Sequence, residues 1–271
     1  MIPNVLSIAG SDPSGGAGIQ ADLKSIAANG GYGMAALTAL TAQNTQGVTG
    51  IELIAPEFVG RQIDAVFSDV LVDAVKIGMI ATAGIARAVA EALTRHGAGN
   101  VVLDPVMVAK GGDRLLAEDA VEALAQGLLP IASIVTPNLP EAAALAGTEE
   151  PRTRDEMPGL ARRVLALGPK AVLLKGGHLT GPDSPDLLVT AETETWLEGP
   201  RLATKNTHGT GCTLSSALAV QLARSSGDAI KAAQAAKAYV TRALSGADEL
   251  RVGQGIGPLN HFKGGVNPYG I

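Results

Sequence analysis

The chain has 271 residues, of which 46% are hydrophobic and only 3% aromatic, so its core would consist mainly of Ala, Val, Leu and Ile. The formal net charge of −5 and the scatter of charged residues argue against nucleic acid or an anionic membrane as a partner. The apolar runs are far shorter than the roughly 18–20 residues that cross a bilayer. The single cysteine, Cys212, excludes an intramolecular disulfide. Because the first residues also lack the features of a secretory signal, we expect a cytoplasmic protein.

Short β-branched runs alternate with helical patterns along the chain. The strand-like runs are residues 5–9, 34–41, 74–77, 101–103, 133–136 and 171–174, with an exposed edge hairpin at 191–196. The helical patterns are residues 18–28, 57–67, 85–95, 118–128, 154–167, 212–223 and 228–248. Such alternation predicts an α/β fold with a mainly parallel sheet and helices on both faces. Residues 148–158 and 181–186 are predicted surface loops rather than linkers, so we expect one domain over 1–271.

Polar residues follow most of the predicted strands. The carboxyl ends of parallel strands open on one edge of the sheet, where ligands bind. That edge would collect glycines, amides, carboxylates and a lysine, from residues 10–18, 42–44, 78–79, 104–105, 137–141 and 175–178. Within that set, the loop at 12–18 lacks both the ending of a P-loop and the full spacing of a dinucleotide-binding loop. We therefore expect it to wrap an acceptor, with Asp22 on the following helix.

The segment 206–213 leads directly into an apolar helix. Gly209 and Gly211 allow the backbone N–H groups on either side of Thr210 to converge, and the helix start adds unpaired N–H groups and a positive dipole end. This pattern predicts an anion hole for a transferring phosphoryl group, although an ordinary glycine-rich turn would have a similar sequence. The helix start is also expected to lower the pKa of the Cys212 thiol, which would make Cys212 a base for an attacking hydroxyl. The alternative for a lone cysteine is a small buried hydrophobic residue.

Three further residues suit ATP chemistry. Phosphoryl transfer from ATP requires a divalent cation, and Mg²⁺ prefers oxygen ligands. Asp104 and Glu141 are the carboxylates best placed to bind it, directly or through water, and Lys175 is placed to reach phosphate oxygens. Each alone has an ordinary explanation as a helix-capping acid or a surface lysine. Together they predict a kinase that transfers a phosphoryl group from ATP to the hydroxyl of a small molecule.

Seven segments form a recognisable set. They are IAGSDPSGGAGIQAD at 8–22, AQNT at 42–45, KIGM at 76–79, DPVM at 104–107, TPNLPEA at 136–142, KGGH at 175–178 and NTHGTGCTL at 206–214. In this order, and over nearly the whole chain, they resemble the bacterial hydroxymethylpyrimidine/phosphomethylpyrimidine kinases. The resemblance implies a ribokinase-like fold and a function in thiamine biosynthesis. ATP would phosphorylate 4-amino-5-hydroxymethyl-2-methylpyrimidine and then the resulting monophosphate.

The resemblance also implies roles for single residues, carried over motif by motif. Gln43 would hydrogen-bond the aminopyrimidine edge, in a substrate pocket that also includes Gly10, Asp22, Met79, Val106 and His208. Cys212 would be the base and 209–211 the anion hole. Asp104 and Glu141 would hold Mg²⁺, while the ATP contacts would come from Asn138, Lys175 and Lys237. By family analogy we expect a homodimer, for which exposed edges such as 191–196 are candidates.

Cys212 occupies a position at which many ribokinase-like sugar kinases carry Asp. A thiol is a poorer base beside a metal than a carboxylate, yet it fits this subfamily. The second phosphorylation has a phosphate nucleophile, which is already deprotonated and needs little help from a base. Loss of the thiol is therefore expected to slow the first step more than the second.

A pyridoxal kinase of the same subfamily is the main alternative, since vitamin B6 also carries a hydroxymethyl group on a six-membered aza-ring. Gln43 argues against it, because a carboxamide pairs with an aminopyrimidine whereas the B6 ring presents a phenolic hydroxyl there. The resemblance also favours the pyrimidine, since relatives selective for pyridoxal tend to carry an apolar residue at this position. Activity on pyridoxal as a side reaction stays open.

Two functions from other classes are alternatives to a kinase. A hydrolase with Cys212 as nucleophile beside His208 or His178 would leave the two acids and Lys175 without a role. A binding protein without catalysis would be expected to have lost an acid, the base or the glycine loop. All three are present in this sequence.

Overall fold

Nine β-strands form one sheet within residues 1–107 and 118–264, the part of the chain that the computed structural model describes. In chain order, β1 to β9 are Asn4–Ser11, Tyr32–Asn44, Gly47–Leu53, Ala74–Ile77, Val101–Leu103, Ile134–Val135, Ala171–Lys175, Asp186–Thr190 and Glu194–Leu197. Across the sheet their order is β3-β2-β1-β4-β5-β6-β7-β8-β9. The six central strands, β2, β1, β4, β5, β6 and β7, run parallel to one another. At one side of the sheet β3 pairs antiparallel with β2, and at the other side β8 and β9 continue the sheet in antiparallel pairs.

Eight α-helices within the described ranges cover the two faces of the sheet. In chain order, α1 to α8 are Gly18–Ala28, Pro56–Phe67, Ala83–Arg95, Glu118–Gly127, Leu139–Ala146, Met157–Leu165, Thr210–Arg224 and Ala229–Ser245. Helices α2 to α6 pack on one face, while α1, α7 and α8 pack on the other. Neighbouring residues of a central strand, such as Val5 and Leu6, therefore enter opposite cores, which explains the near-continuous apolar runs.

The strand order reverses at β1. This strand pairs with β2 on one side and with β4 on the other, so the connections on its two sides run in opposite directions. In an open parallel sheet such a reversal leaves a crevice beyond the carboxyl ends of the strands, where ligands bind. The fold thus defines the position of a site before any side chain is considered.

The predicted α/β fold, with a mainly parallel sheet and helices on both faces, is confirmed. Helix α1 and strands β4 and β5 begin and end at the predicted residues. The sequence pattern does not predict β3, because its residues are mostly exposed and two of them are glycines. The two predicted surface loops are wrong at their ends: Asp186 is buried at the start of β8, and Met157 is buried at the start of α6. Among the helices that the structure describes, none is long and apolar enough to cross a membrane.

Candidate active site

A cavity of about 920 Å³ lies beyond the carboxyl ends of the parallel strands. Of the residues that the sequence nominates for the site, all but Asp22 are in its wall: Gly10, Gln43, Met79, Asp104, Val106, Asn138, Glu141, Lys175, His208, Gly209, Thr210, Gly211, Cys212 and Lys237. They come from strand ends, from the start of α5 and from the last two helices. The fold therefore brings together residues from the whole length of the chain.

Asp22 lies beneath the cavity rather than in its wall. Its buried carboxylate accepts hydrogen bonds from Lys76 Nζ at 2.8 and 2.9 Å, from Ser7 Oγ at 2.6 Å and from Ser216 Oγ at 2.8 Å. Burial acts to lower the pKa of Lys76, but the adjacent Asp22 carboxylate raises it above its ordinary value. Asp22 therefore holds Lys76, which itself lines the cavity, and the structure does not support the predicted contact of Asp22 with a substrate.

Asp12 anchors the loop between β1 and α1. Its carboxylate accepts hydrogen bonds from the backbone N–H groups of Ser14, Gly16 and Ala17, at 2.9, 3.2 and 2.8 Å. It also lies 2.8 Å from His208 Nε2. Burial acts to raise the pKa of Asp12, but hydrogen bonds from His208 and Ser14 lower it to about 2. Asp12 is not among the predicted site residues, although an Asp at the start of an Asp-Pro-Ser-Gly turn is a known signal for such an anchor.

The turn before α7 approaches the 10–18 loop so closely that it excludes a side chain. Gly209 is the N-cap of α7 with φ of 76°, and a Cβ at this position would overlap the carbonyl oxygen of Gly16. The N–H of Thr210 bonds the carbonyl of Thr207 at 3.3 Å, which withdraws it from the predicted anion hole. The N–H groups of the first helical turn that lack an intrahelical acceptor then begin at Gly211.

Gly211 brings the start of α7 against the charged side of the cavity. A Cβ on Gly211 would lie 3.3 Å from Asp104 Oδ2 and 3.4 Å from Lys175 Nζ. The positive end of the helix dipole and the Lys175 ammonium therefore meet at one place, which suits a phosphate.

Cys212 follows in the first turn of α7 and is half-buried. Burial raises the pKa of its thiol to about 11, against the effect of the Lys76 ammonium, and the carboxylates of Asp22 and Asp104 add to the rise. The prediction of a lowered pKa for Cys212 is therefore wrong. The cost of burying a thiolate beside two acids outweighs the helix dipole and the nearby lysine.

Lys175 bridges the two predicted metal ligands. Its Nζ lies 3.1 Å from Asp104 Oδ1 and 3.9 Å from Glu141 Oε2. Both carboxylates are buried. Burial raises the pKa of Glu141 to about 7; Lys175 opposes this rise and Asp104 adds to it. Glu141 therefore holds a proton more tightly than an ordinary glutamate does.

Asn138 and Glu141 cap the start of α5. Asn138 Oδ1 accepts the N–H of Glu141 at 2.8 Å, and Glu141 Oε2 accepts the N–H of Asn138 at 2.8 Å. This capping box fixes the Glu141 side chain at the edge of the cavity. The carboxamide oxygen of Asn138 is used by the helix, so its NH₂ group is the part left for a ligand.

The donors present fit Mg²⁺ on chemical grounds. Kinase sites hold Mg²⁺ through one or two carboxylates, with water and substrate phosphates as the remaining ligands. Asp104 and Glu141 supply two carboxylates within reach of the same ammonium group. Over residues 1–107 and 118–264, no three or more His, Cys, Asp or Glu side chains are grouped as metal ligands. A metal here would thus depend on phosphates from the nucleotide.

Lys237 enters the cavity wall from α8. Its Nζ donates to the carbonyl oxygen of Ser184 at 2.6 Å and to Asp186 Oδ2 at 2.8 Å. Asp186 Oδ1 also accepts the N–H of Gly176 at 3.0 Å, and burial raises the pKa of this carboxyl against the effect of Lys237. Lys237 therefore ties α8 to the loops that follow β7. Asp186 is not among the predicted site residues; its signal in the sequence is an acid directly before the apolar run LLV.

Two solved kinases share this fold. The pyridoxal kinase from Staphylococcus aureus, in complex with AMP-PCP and pyridoxal, has a TM-score of 0.89 and 31% identity, covering 98% of this chain and 96% of that one. The phosphomethylpyrimidine kinase from Clostridium difficile 630 has a TM-score of 0.78 and 42% identity, covering 88% of this chain and 98% of that one. The fold and the site therefore define a kinase of the ribokinase-like class.

Sequence comparison resolves the family within this class. The model of the phosphomethylpyrimidine kinase family matches residues 12–260. The hydroxymethylpyrimidine/phosphomethylpyrimidine kinase of Salmonella typhimurium is 56% identical over 261 residues, which are 96% of this chain and 97% of that protein. The thiamine biosynthesis bifunctional protein ThiED of Geobacter sulfurreducens is 51% identical over 260 residues, which are 96% of this chain and 52% of that protein. The chain belongs to the phosphomethylpyrimidine kinase family.

Proposed function

We propose that this chain uses ATP to phosphorylate 4-amino-5-hydroxymethyl-2-methylpyrimidine and then phosphorylates the monophosphate to the diphosphate, for thiamine diphosphate biosynthesis. We infer that residues 1–271 act as one domain in the cytoplasm, where ATP is supplied. The proposed activity is carried by one observation: the wall of one cavity contains Gln43, the Asp104–Lys175–Glu141 cluster, Cys212 and the start of α7.

Each part of this wall suits one task in phosphoryl transfer. The N–H groups at the start of α7 and Lys175 would stabilise the charge on the transferring phosphoryl group. Asn138 and Lys237 would contact the phosphates or the nucleotide. Asp104 and Glu141 would hold Mg²⁺, which neutralises phosphate charge when it is bound. The S. aureus neighbour, which binds an ATP analogue, supports ATP as the donor.

In the first phosphorylation step, the hydroxyl group of the acceptor has to lose its proton. The hydroxymethyl oxygen bonds to the γ-phosphorus of ATP, the bond from this phosphorus to ADP breaks, and the hydroxyl proton leaves the new ester. Because the transition state is loose, the proton departs late, and orientation matters more than the strength of the base. The thiolate form of Cys212 accepts this proton. The fraction in this form is small at neutral pH because the pKa of the thiol is raised to about 11.

The deciding experiment measures ATP consumption with Mg²⁺ and each of three acceptors: the hydroxymethylpyrimidine, its monophosphate and pyridoxal. Mass spectrometry identifies the products. Phosphorylation of both pyrimidines, with pyridoxal much slower, is expected. Turnover of no acceptor would contradict the proposal.

Pyridoxal phosphorylation is the second candidate. The observation in its favour is that the pyridoxal kinase of S. aureus has a higher TM-score than the C. difficile phosphomethylpyrimidine kinase, 0.89 against 0.78. Sequence identity has the opposite order, 31% against 42%. Preference for pyridoxal in the same assay would select this candidate and leave the phosphoryl-transfer centre unchanged.

We also propose that the chain forms a homodimer through strand β3. Ile51 and Leu53 point to the same side of this edge strand and are 39% and 51% exposed. The predicted edge at 191–196 is a weaker candidate, since Trp196 stacks under the guanidinium of Arg154 at 4.0 Å. Light scattering on Leu53→Glu should show loss of the dimer. Leu71→Glu, at an exposed loop position, is the matched control and should leave the dimer intact.

A further inference from the structure

His208 Nε2 has two neighbours with conflicting requirements. It lies 2.8 Å from Asp12 Oδ2 and 3.4 Å from Gln43 Nε2. A ring nitrogen that carries a proton donates to the carboxylate, whereas one without a proton accepts from the NH₂ of a carboxamide. One nitrogen cannot do both. His208 and Asp12 are buried, so their contact leaves little room for water, whereas Gln43 is half-buried at the cavity wall.

The carboxylate decides which contact is satisfied. Asp12 is ionised at neutral pH because its pKa is lowered to about 2. An unprotonated Nε2 would place two acceptors 2.8 Å apart in a buried site, which is strongly unfavourable. His208 Nε2 therefore carries the proton and donates it to Asp12, so an NH₂ group of Gln43 that faces this nitrogen finds no acceptor there, whereas the carboxamide oxygen is favoured.

The other end of the Gln43 carboxamide has a matching partner. Thr41 Oγ1 lies 2.8 Å from the carbonyl oxygen of Ser11 and 3.2 Å from Gln43 Oε1. Its single proton goes to the closer backbone carbonyl, which leaves a lone pair of Oγ1 for an N–H of Gln43. A half-turn of the carboxamide exchanges its oxygen and nitrogen. The oxygen then faces the N–H of His208 at 3.4 Å, as the longer branch of a hydrogen bond whose shorter branch goes to Asp12 at 2.8 Å, and an N–H of Gln43 faces the lone pair of Thr41 Oγ1.

We propose that Asp12 and His208 set the orientation of the Gln43 carboxamide, with its oxygen toward His208 and its nitrogen toward Thr41. His208 is then a positioning residue for recognition of the acceptor. In this orientation Gln43 retains one N–H and one oxygen lone pair for a ligand. The matching ligand edge has an acceptor next to a donor, which is a ring nitrogen beside an amino group. The inference rests on the proposed function, since it takes Gln43 as the contact of the acceptor ring.

The protonation of His208 is measurable without a substrate. In protein labelled with ¹⁵N-histidine, NMR at neutral pH should show a proton on Nε2 of His208, identified by loss of the signal in His208→Phe. An unprotonated Nε2 would overturn the inference. Because this measurement does not involve catalysis, it separates failure of the inference from failure of the proposed function.

The effect on recognition is measured as a ratio of kcat/KM values. The value of kcat/KM for the aminopyrimidine is divided by the value for the same ring with hydrogen in place of the amino group. We expect His208→Phe and Gln43→Leu each to lower this ratio about tenfold, the effect of one lost hydrogen bond. The double variant should be no lower than the lower single variant. Equal losses for both substrates would mean that His208 is only structural, and multiplied losses would mean that the two residues act independently; either result overturns the inference.

Thr41→Val tests the other end of the carboxamide and replaces His208→Phe if that variant does not fold. It removes the oxygen that accepts from Gln43 while keeping the shape of the side chain, so the ratio should again fall. Thr49→Val is the matched control, because Thr49 lies on the neighbouring strand β3 and its hydroxyl donates to the backbone carbonyl of Ala42 at 3.0 Å. An unchanged ratio in Thr41→Val would contradict the proposed orientation.

Discussion

Lys76 and Asp22 form an ion pair of 2.8 Å in which neither side chain is exposed to solvent. Ser7 and Ser216 donate to the same carboxylate, so this one network joins β1, β4, α1 and α7. Lys76 also lines the cavity. The network thus places a fixed positive charge at the base of the site, where it acts against the rise in the pKa of Cys212.

Lys76→Met is expected to destabilise the protein strongly, because it leaves the Asp22 carboxylate buried without a counter-charge. Breaking a buried pair in this way costs about 3–5 kcal/mol. Urea denaturation measures the free energy of unfolding. The double variant Lys76→Met/Asp22→Asn removes both charges and should recover most of the loss.

Lys231→Met is the control for this experiment. Lys231 pairs with Asp228 at the exposed start of α8 and is itself 77% exposed, so its loss should change the stability little. A Lys76→Met protein as stable as Lys231→Met would show that the buried pair does not hold the network together.

Gly209→Ala is expected to lower kcat/KM for both pyrimidines about a hundredfold, the effect of displacing reacting groups by about 1 Å. The added Cβ would overlap the carbonyl oxygen of Gly16 and force apart the two loops that form the site. Gly97→Ala has the same left-handed strain, at φ of 61°, but its Cβ would meet no atom within 4 Å. Steady-state kinetics on both variants separates strain from the clash. Equal activity of the two variants would contradict the close approach of the loops.

The strand ends of this chain could be predicted because buried parallel strands are short β-branched runs, and in a parallel sheet their carboxyl ends share one edge. This is why residues as distant as Gly10 and Lys175 could be assigned to one site from the sequence. The strand β3 could not be predicted, since an exposed edge strand with glycines has no apolar alternation.

The burial of charges could not be predicted in the same way. Asp22 and Lys76 have ordinary sequence contexts, and only the tertiary packing shows that they neutralise each other out of contact with solvent. The same is true of Cys212. Its place at a helix start indicates a lowered pKa, but the direction reverses once the packing around the thiol is known. Position along the chain indicates dipoles and caps, whereas desolvation depends on the fold.

Glu141→Gln is expected to make the free energy of unfolding less dependent on pH. Burial raises the pKa of Glu141 from 4.5 to about 7, so the folded protein keeps a proton that the unfolded chain has lost. The stability associated with this proton is fully present below about pH 4.5 and is lost as the pH rises through about 7, by up to about 3 kcal/mol. Gln does not titrate and still accepts the N–H of Asn138. In buffer with EDTA, the variant should gain stability relative to the natural protein between about pH 5 and about pH 8. A difference that does not change with pH would contradict the raised pKa.

Cys212→Ala is expected to slow phosphorylation of the hydroxymethylpyrimidine about a hundredfold, the lower end of what a positioned base contributes. Phosphorylation of the monophosphate should fall less than about tenfold, because its nucleophile is already deprotonated. Single-turnover rates with the two acceptors make this comparison within one variant, so a general folding defect would appear in both rates. The pH dependence gives a second readout: with the thiol pKa raised to about 11, the thiolate fraction of the natural protein grows with pH across the neutral range. The rate of the first step should therefore rise more steeply with pH in the natural protein than in Cys212→Ala, in which Glu141 still titrates across this range. Equal losses in both steps, or the same pH profile in both proteins, would remove Cys212 from the role of base and leave the hydroxyl proton to the phosphates themselves.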